Sequence, residues 1–305
     1  MKVLKRKIHT LFHTPRIFMK KFEGSALFPY LPDAIALRIQ YKNRFLKDLD
    51  LEHPETFNEK LQWLKLYDRR PEYTRMVDKY AAKAYVASVI GEEYIIPAYG
   101  VWDSFDDIDF DALPDQFVLK CTHGSGDAVI VRDKKKFDKA AAREKLTKSL
   151  RVDYYKIGRE WPYKDVPRRI LAEKYMAEES GLELNDYKVM CFCGKPKLIQ
   201  VHMGRFGIHT QDFYDTDWNK LDIIQGSLQS NILLQRPEAL GKMLQLSSML
   251  SKNISQLRVD WYCVAGQLYF GELTFFDAGG FEQFSPAEWD YTLGEWIQLP
   301  EKGVF

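Results

Sequence analysis

Apolar residues recur along the chain with two periods, and the change from one to the other divides it. Over residues 56–67, Phe57, Leu61, Trp63 and Leu64 form a stripe of helical spacing, opened by Thr56 with Glu59 three residues on, the reciprocal capping pair of a helix start. A second helix is predicted over 77–90, with Tyr80, Ala81, Ala84 and Tyr85 on one face and Gly91 as its stop. EYIIPAY at 93–99 reads as a strand, and after residue 116 strands become frequent. QFVLKCTHGSGDAVIV (116–131) is two apolar strands around a glycine-containing turn, ILAEKYM (170–176) is a further strand, and DYKVMCF (186–192) with LIQV (198–201) is a hairpin. LRVDWYCVAGQLYFGELTFFDAGG (257–280) is two strands joined by Ala265-Gly266. Loops are expected over 103–115 and 161–168, and no internal repeat is visible.

Composition narrows the classes open to this pattern. A chain of 305 residues with 46% hydrophobic and 29% charged residues buries a sizeable core, which excludes disorder and collagen-like repeats. The balance of 44 Lys+Arg against 43 Asp+Glu excludes a global nucleic-acid-binding charge. The longest uncharged run, 223–235, is far short of the roughly 20 apolar residues that span a bilayer, so a soluble protein is expected. Cys121, Cys191, Cys193 and Cys263 lack metal-ligand spacing beyond one C-x-C and read as reduced, which points to the cytoplasm. Residues 1–22 carry seven cations and no acid, with Leu4, Ile8 and Leu11 on one helical face: a candidate contact with the inner face of the plasma membrane. Pro15 cuts that helix short, and a solvated helix packed on the body is the plainer reading.

Four segments carry chemistry. His123, Gly124, Ser125 and Gly126 form a hairpin tip whose glycines allow backbone N–H groups to converge on an anion, and Lys120 ends the preceding strand beside it. The spacing is neither that of a P-loop nor that of a dinucleotide fingerprint, and taken alone G-S-G in a hairpin is more often an ordinary turn. Glu173, within an apolar strand beside Tyr175 and Met176, is placed to accept from an adenine amino group, although a lone strand Glu is usually an edge residue. Asp186 and Lys188 share one face of their hairpin. Period-two spacing likewise groups Arg258 with Asp260 and Glu272 with Thr274, gathering two carboxylates, a hydroxyl and a guanidinium. Carboxylates so paired suit Mg²⁺ bridging phosphates, and a cross-strand salt bridge is the alternative.

Together TFNEKLQWLKLYDRR, DKYAAKAYV, FVLKCTHGSG, AEKYM, DYKVMCFCGKPKLIQV, RVDWY and GELTFFDAGGF resemble the TupA-like branch of the ATP-grasp ligases, from about residue 56 to the end of the chain. The resemblance implies an α+β ATP-grasp fold in which two lobes with antiparallel sheets enclose ATP. It places a helical region at 1–76 and the ATP-grasp domain at 77–305, with a small nucleotide-covering lobe at about 116–176 and a catalytic lobe at 177–305. It further implies phosphate contacts from Lys79 and Lys120, a covering loop at His123, Gly124, Ser125 and Gly126, and an adenine strand of Glu173, Lys174, Tyr175 and Met176. Glu178 or Glu179 would hold the ribose, and Lys188 would be a cation on phosphate or acyl substrate. Arg258 would be the catalytic arginine, and Asp260 and Glu272 the Mg²⁺ ligands. Thr274 stands where the family has Asn, with Asp277 as a further oxygen source, and no full βαβ domain precedes Asp78. The implied reaction is ATP-dependent carboxylate–amine ligation through an acylphosphate, joining an amino acid to a sugar of a bacterial surface polysaccharide.

Two other readings fit parts of the pattern. Asp215-Thr216-Asp217 is D-x-D-like and would suit a glycosyltransferase using a nucleotide sugar, and Thr274 would suit an ATP-binding module without turnover. His202, Arg205 and His209 lie where an acceptor site would be lined, with no catalytic role assigned.

Overall fold

The structure, a computed structural model, describes residues 20–177, 184–204 and 209–302. The basic segment at 1–22 therefore lies almost wholly outside the described residues, as do Glu178, Glu179 and Arg205.

After helix α1 (Asp33–Phe45), helix α2 (Phe57–Tyr67) begins where the capping pair predicts: Glu59 N–H donates to Thr56 Oγ1 at 3.2 Å and Thr56 N–H to Glu59 Oε2 at 3.1 Å. The helix expected at 77–90 is instead two, α3 (Glu72–Val77) and α4 (Ala81–Ile90). Asp78 separates them, because its Oδ1 accepts from the N–H groups of Tyr80 (2.9 Å) and Ala81 (3.2 Å) and so caps a new start. The strand expected at 93–99 is also displaced. Glu92–Tyr94 is a 3₁₀ turn, Ile95 makes a single bridge to Phe270, and β1 (Ala98–Trp102) follows Pro97, which has no N–H to give a ladder.

Strands β2 (Phe117–Cys121), β3 (Val129–Val131) and β4 (Ile170–Lys174) join β1 in an antiparallel sheet of order β1-β4-β2-β3. Helix α5 (Lys139–Leu150) covers one face, packing Ala142 and Leu146 against Leu119 and Ala172. The Asp-rich loop of 103–115 is tied to the same core by Phe105, Ile108, Phe110 and Leu113, so its acids ride on a buried apolar anchor. Short helix α6 (Tyr154–Gly158) follows.

The second sheet has the order β11-β10-β5-β6-β7-β8, antiparallel throughout: β5 (Asp186–Phe192), β6 (Lys195–Met203), β7 (Thr210–Tyr214), β8 (Lys220–Leu221), β10 (Gln256–Val264) and β11 (Gln267–Thr274). Short strands β9 (Ile224–Gln225) and β12 (Phe284–Ser285) pair beside it. Helix α7 (Leu240–Leu250) packs on one face, where fully buried Trp261 donates its indole N–H to Ser247 Oγ at 2.9 Å. Leu37, Tyr41, Phe57 and Leu61 belong to the same core, so the N-terminal helices are built onto this sheet. Helix α8 (Glu288–Trp296) approaches α2 so closely that a Cβ on Gly294 would lie 2.1 Å from the Glu55 carbonyl oxygen, which only glycine permits. No helix among the described residues is long and apolar enough to cross a membrane, and the four cysteines are free.

Candidate active site

The face of the large sheet opposite α7 gathers charge in a row. Antiparallel register sets Asp260 of β10 opposite Lys188 of β5, and Arg258 opposite Thr274 of β11. Lys188 Nζ donates to Asp260 Oδ2. The Arg258 guanidinium then reaches three acids: Asp260 through Nε (2.7 Å) and Nη2 (2.8 Å), Glu272 Oε1 through Nη2 (3.2 Å), and Asp277 Oδ1 through Nη1 (2.6 Å). Burial alone would push the Asp260 carboxyl up, but Arg258 and Lys188 hold it below the ordinary range. Burial opposes the charge of Arg258 itself, yet its acid partners raise its pKa well above the usual value.

Asp277 opens a turn (Asp277–Gly280) in which Ala278, Gly279 and Gly280 all have positive φ. A Cβ on Gly280 would meet Gln62 Nε2 at 2.4 Å, so this turn needs glycine for both space and conformation. The second Asp277 oxygen accepts from Gln225 (3.0 Å) and Gln200 (3.2 Å). With Arg258 on Oδ1 and the two amides on Oδ2, this carboxylate positions the guanidinium. Below the turn, buried Lys65 of α2 donates to the carbonyls of Gly279 (2.6 Å) and Gly158 (2.7 Å) and to Gln62 Oε1 (2.9 Å). Buried Glu160 faces the same cluster: burial pushes its carboxyl up, opposed by Lys65 and Arg258. Burial pushes the Lys65 ammonium down, with Glu160 opposing.

A second cationic group faces this row. Lys79, in the link between α3 and α4, donates to the Gly124 carbonyl of the β2–β3 loop and lies 3.8 Å from Glu272 Oε2. The loop is held by Asp127, whose Oδ2 accepts from the Cys121 N–H (3.3 Å) and the Ser149 hydroxyl (2.8 Å). Gly126 has φ +81, and the Tyr154 ring lies 3.4 Å from a Cβ placed on Gly124. The His123 ring is buried, and burial pushes its pKa down. The expectation of a donor-rich tip concerns the backbone N–H groups of residues 123–126.

Lys120 and Lys83 of α4 flank the Glu173 carboxylate, Lys83 at 3.0 Å. Burial would raise that carboxyl, but the two lysines hold it low. Glu173 thus meets two ammonium groups where an adenine amino group was expected. Tyr175 diverges from it: its hydroxyl accepts from Arg132 Nε at 3.1 Å, and with Lys174 it lines an outer cavity of about 670 Å³ beside Tyr99. Met176 follows, partly exposed, at the edge of the described residues.

Two further sequence features resolve differently. Asp215 spends its carboxylate on its own turn, Oδ1 accepting from the N–H groups of Asp217 (2.9 Å) and Asn219 (2.8 Å) and Oδ2 from Asn219 Nδ2 (2.8 Å), so the D-x-D segment is a turn motif. His202 Nδ1 meets His209 Nε2 at 3.0 Å, and His209 Nδ1 meets Ser227 Oγ at 3.0 Å. Burial first, then Lys188 and Arg258, push the His202 pKa down to about 3.

Lys65, Lys83, Glu160, Gln200 and Gln225 escaped the sequence reading. Lys83 follows Lys79 by one helical turn, a spacing that puts both cations at one end of α4 and was available as a signal. The other four come together only through long-range packing.

The donor set suits a nucleoside triphosphate and one divalent cation. Lys79, Lys83 and Lys120 and the 124–126 backbone offer donors to phosphate, while Asp260, Glu272 and the Thr274 hydroxyl offer hard oxygens. Those two acids form no closed cage: among the described residues no group of three or more His, Cys, Asp or Glu is disposed to hold a metal ion. Mg²⁺ commonly takes one or two carboxylates and completes its shell with phosphate oxygens and water.

Comparison with known proteins adds three kinds of result. No curated protein matches the chain. Among solved structures, D-alanine–D-alanine ligase from Bacillus anthracis complexed with ATP matches at 18% identity and TM-score 0.38, over 66% of this chain and 54% of that one. The corresponding ligase from Helicobacter pylori matches at 12% identity and TM-score 0.41, over 79% of this chain and 69% of that one. An N5-carboxyaminoimidazole ribonucleotide synthetase in complex with ADP matches at 13% identity and TM-score 0.41, over 78% and 56%. The chain spans little more than half the length of the first of these. The family model of the TupA-like ATP-grasp proteins matches residues 59–298, which takes in both sheets and every residue of the Arg258 row, and the chain belongs to that family.

Proposed function

We propose that the protein is an ATP-dependent carboxylate–amine ligase of bacterial surface-polysaccharide biosynthesis, joining an amino acid to a sugar acid. Supporting this reading is one observation above all: in a TupA-like ATP-grasp chain, Lys188, Arg258, Asp260 and Glu272 of the large sheet stand against Lys79 and the Gly124 loop of the small one. Lys79, Lys83 and Lys120 bind the polyphosphate, and the backbone of Ser125 and Gly126 closes over it. The backbone of Lys174, Tyr175 and Met176 holds the adenine, Glu173 positions Lys83 and Lys120, and Glu178 holds the ribose. Asp260, Glu272 and Thr274 would hold Mg²⁺, which would supply charge neutralisation at the phosphates. Arg258, fixed by Asp277, steers the transferring phosphoryl group toward the substrate carboxylate, and Lys188 orients the acyl oxygen. The amine then attacks the acyl carbon of the acylphosphate, and inorganic phosphate leaves as the amide C–N bond forms. Localisation is cytoplasmic.

The test is ADP release from ATP and Mg²⁺ across a matrix of uronic acids and amino acids, with mass detection of the amide. A carboxylate-dependent ADP signal that needs an amine for amide formation, and vanishes in Arg258→Ala, supports the reading. Transfer from nucleotide sugars without ATP use would replace it.

A further inference from the structure

Where α6 ends, consecutive residues are fixed in place. The Gly158 carbonyl accepts from Lys65 Nζ at 2.7 Å, and Arg159 turns the chain with φ +55 and donates to the Phe28 carbonyl at 2.8 Å. Glu160 follows, only 8% exposed. Its carboxylate leans on the Asp277 turn: Oε1 lies 3.6 Å from where a Cβ on Gly279 would stand, and a Cβ on Gly158 would approach it to 2.9 Å. Tyr154, whose ring touches Gly124, meets Tyr163 edge-on with ring centroids 4.8 Å apart, and both rings feel the Glu160 charge. Arg258 and Glu272 lie within its electrostatic reach on the other side. Glu160 therefore stands between the Gly124 loop and the Arg258 row.

Neither neighbouring cation gives this carboxylate a hydrogen bond. The three N–H groups of the Lys65 ammonium are taken by Gly279, Gly158 and Gln62, and the Arg258 guanidinium is spent on Asp260, Glu272 and Asp277. A buried carboxylate without a donor is costly, and it suits a ligand that brings N–H groups and no negative charge. An alkylammonium brings three donors and a positive charge. We propose that Glu160 receives the ammonium group of the amine substrate and takes one of its protons. The lone pair so freed attacks the acyl carbon; the bond from that carbon to the phosphate oxygen breaks, its electron pair leaves with inorganic phosphate, and the second nitrogen proton goes to that phosphate. Burial raises the Glu160 carboxyl to about 7, with Lys65 and Arg258 opposing the rise and Asp277 and Glu272 adding to it, so the group exchanges a proton near neutral pH. This role rests on the ligase reading above and adds to it the group that activates the amine.

Hydroxylamine, uncharged at neutral pH, traps an acylphosphate as a hydroxamate without help from a base, so it separates the two halves of the reaction. The experiment compares full-chain wild type, Glu160→Gln and Glu160→Asp with ATP, Mg²⁺ and a panel of uronic acids, once with hydroxylamine and once with the standard amino acids. Glu160→Gln should keep hydroxamate formation and lose amide formation by at least about a hundredfold, the scale of a positioned general base. Glu160→Asp keeps a charge opposite Lys65 and decides the matter should the Gln variant fail to fold: it should keep the hydroxamate and make amide more slowly than wild type. Amide at the wild-type rate from either variant overturns the proposal, and so does a parallel loss of hydroxamate and amide in folded protein. Wild type that gives neither product from any uronic acid overturns the ligase reading itself, and this role with it.

Discussion

Lys79 and Glu272 lie 3.8 Å apart although one precedes the small sheet and the other belongs to an inner-face row of the large one. Lys79 also donates to the Gly124 carbonyl, so one side chain touches the loop proposed to cover phosphates and an acid proposed to bind metal. A polyphosphate entering there exchanges these contacts for stronger ones to its own oxygens.

Replacing Lys79 or Lys120 by Met should weaken ATP binding by about 1.5–3 kcal/mol, the scale of a hydrogen bond to a charged group, and should affect AMP much less. Calorimetry on both ligands checks this. Equal losses for ATP and AMP in a folded variant would remove both lysines from the phosphate.

Asp277→Asn should destabilise the fold by about 1–3 kcal/mol, because buried Arg258 loses a charged acceptor while Asp260 and Glu272 continue to hold it. Urea denaturation measures the loss. If Asp277 only positions Arg258, turnover should fall while the Mg²⁺ concentration giving half-maximal rate stays constant; a large rise in that concentration would make Asp277 a metal ligand after all.

Much of this site was legible because its parts are short-range. Asp260 and Arg258 are two apart on one strand, Glu272 and Thr274 two apart on the next, and a tight Ala265-Gly266 turn makes those strands neighbours. The capping pair at Thr56 was legible for the same reason. The misses were also physical. Helical periodicity runs through residues 77–81 without a break, so the interruption at Asp78 shows only in its carboxylate capping the next turn. Glu173 alternates correctly within its strand, but Lys83 reaches it from a helix 90 residues earlier, a pairing that no local pattern encodes. Glu160 and Lys65 share a buried setting beneath the Asp277 turn that exists only once α2 has packed there.

Thr274 offers a test by gain. An amide oxygen is a better Mg²⁺ ligand than a neutral hydroxyl, so Thr274→Asn should tighten Mg²⁺ several-fold in ATP turnover, whereas Asp260→Asn and Glu272→Gln should abolish turnover and leave metal-free ATP binding nearly unchanged. Titrating Mg²⁺ against ADP release separates these outcomes. Wild-type rates and metal dependence in both acid variants would remove Asp260 and Glu272 from the reaction.

His202 gives a dependence on pH whose sign is fixed by its surroundings. Burial, reinforced by Lys188 and Arg258, lowers its pKa from the ordinary histidine value of 6.5 to about 3 in the fold. The unfolded chain therefore binds a proton that the folded chain refuses. The stability this represents is complete above pH 6.5 and is lost as pH falls toward 3, at up to about 1.4 kcal/mol per unit. His202→Asn removes the titrating group, so wild type should lose about 2 kcal/mol more than the variant between about pH 7 and about pH 5. Urea denaturation of both proteins at the two pH values provides the measurement. Parallel losses would mean that His202 takes up its proton in the folded state, with Lys188 and Arg258 too well neutralised by Asp260 and Asp277 to oppose it.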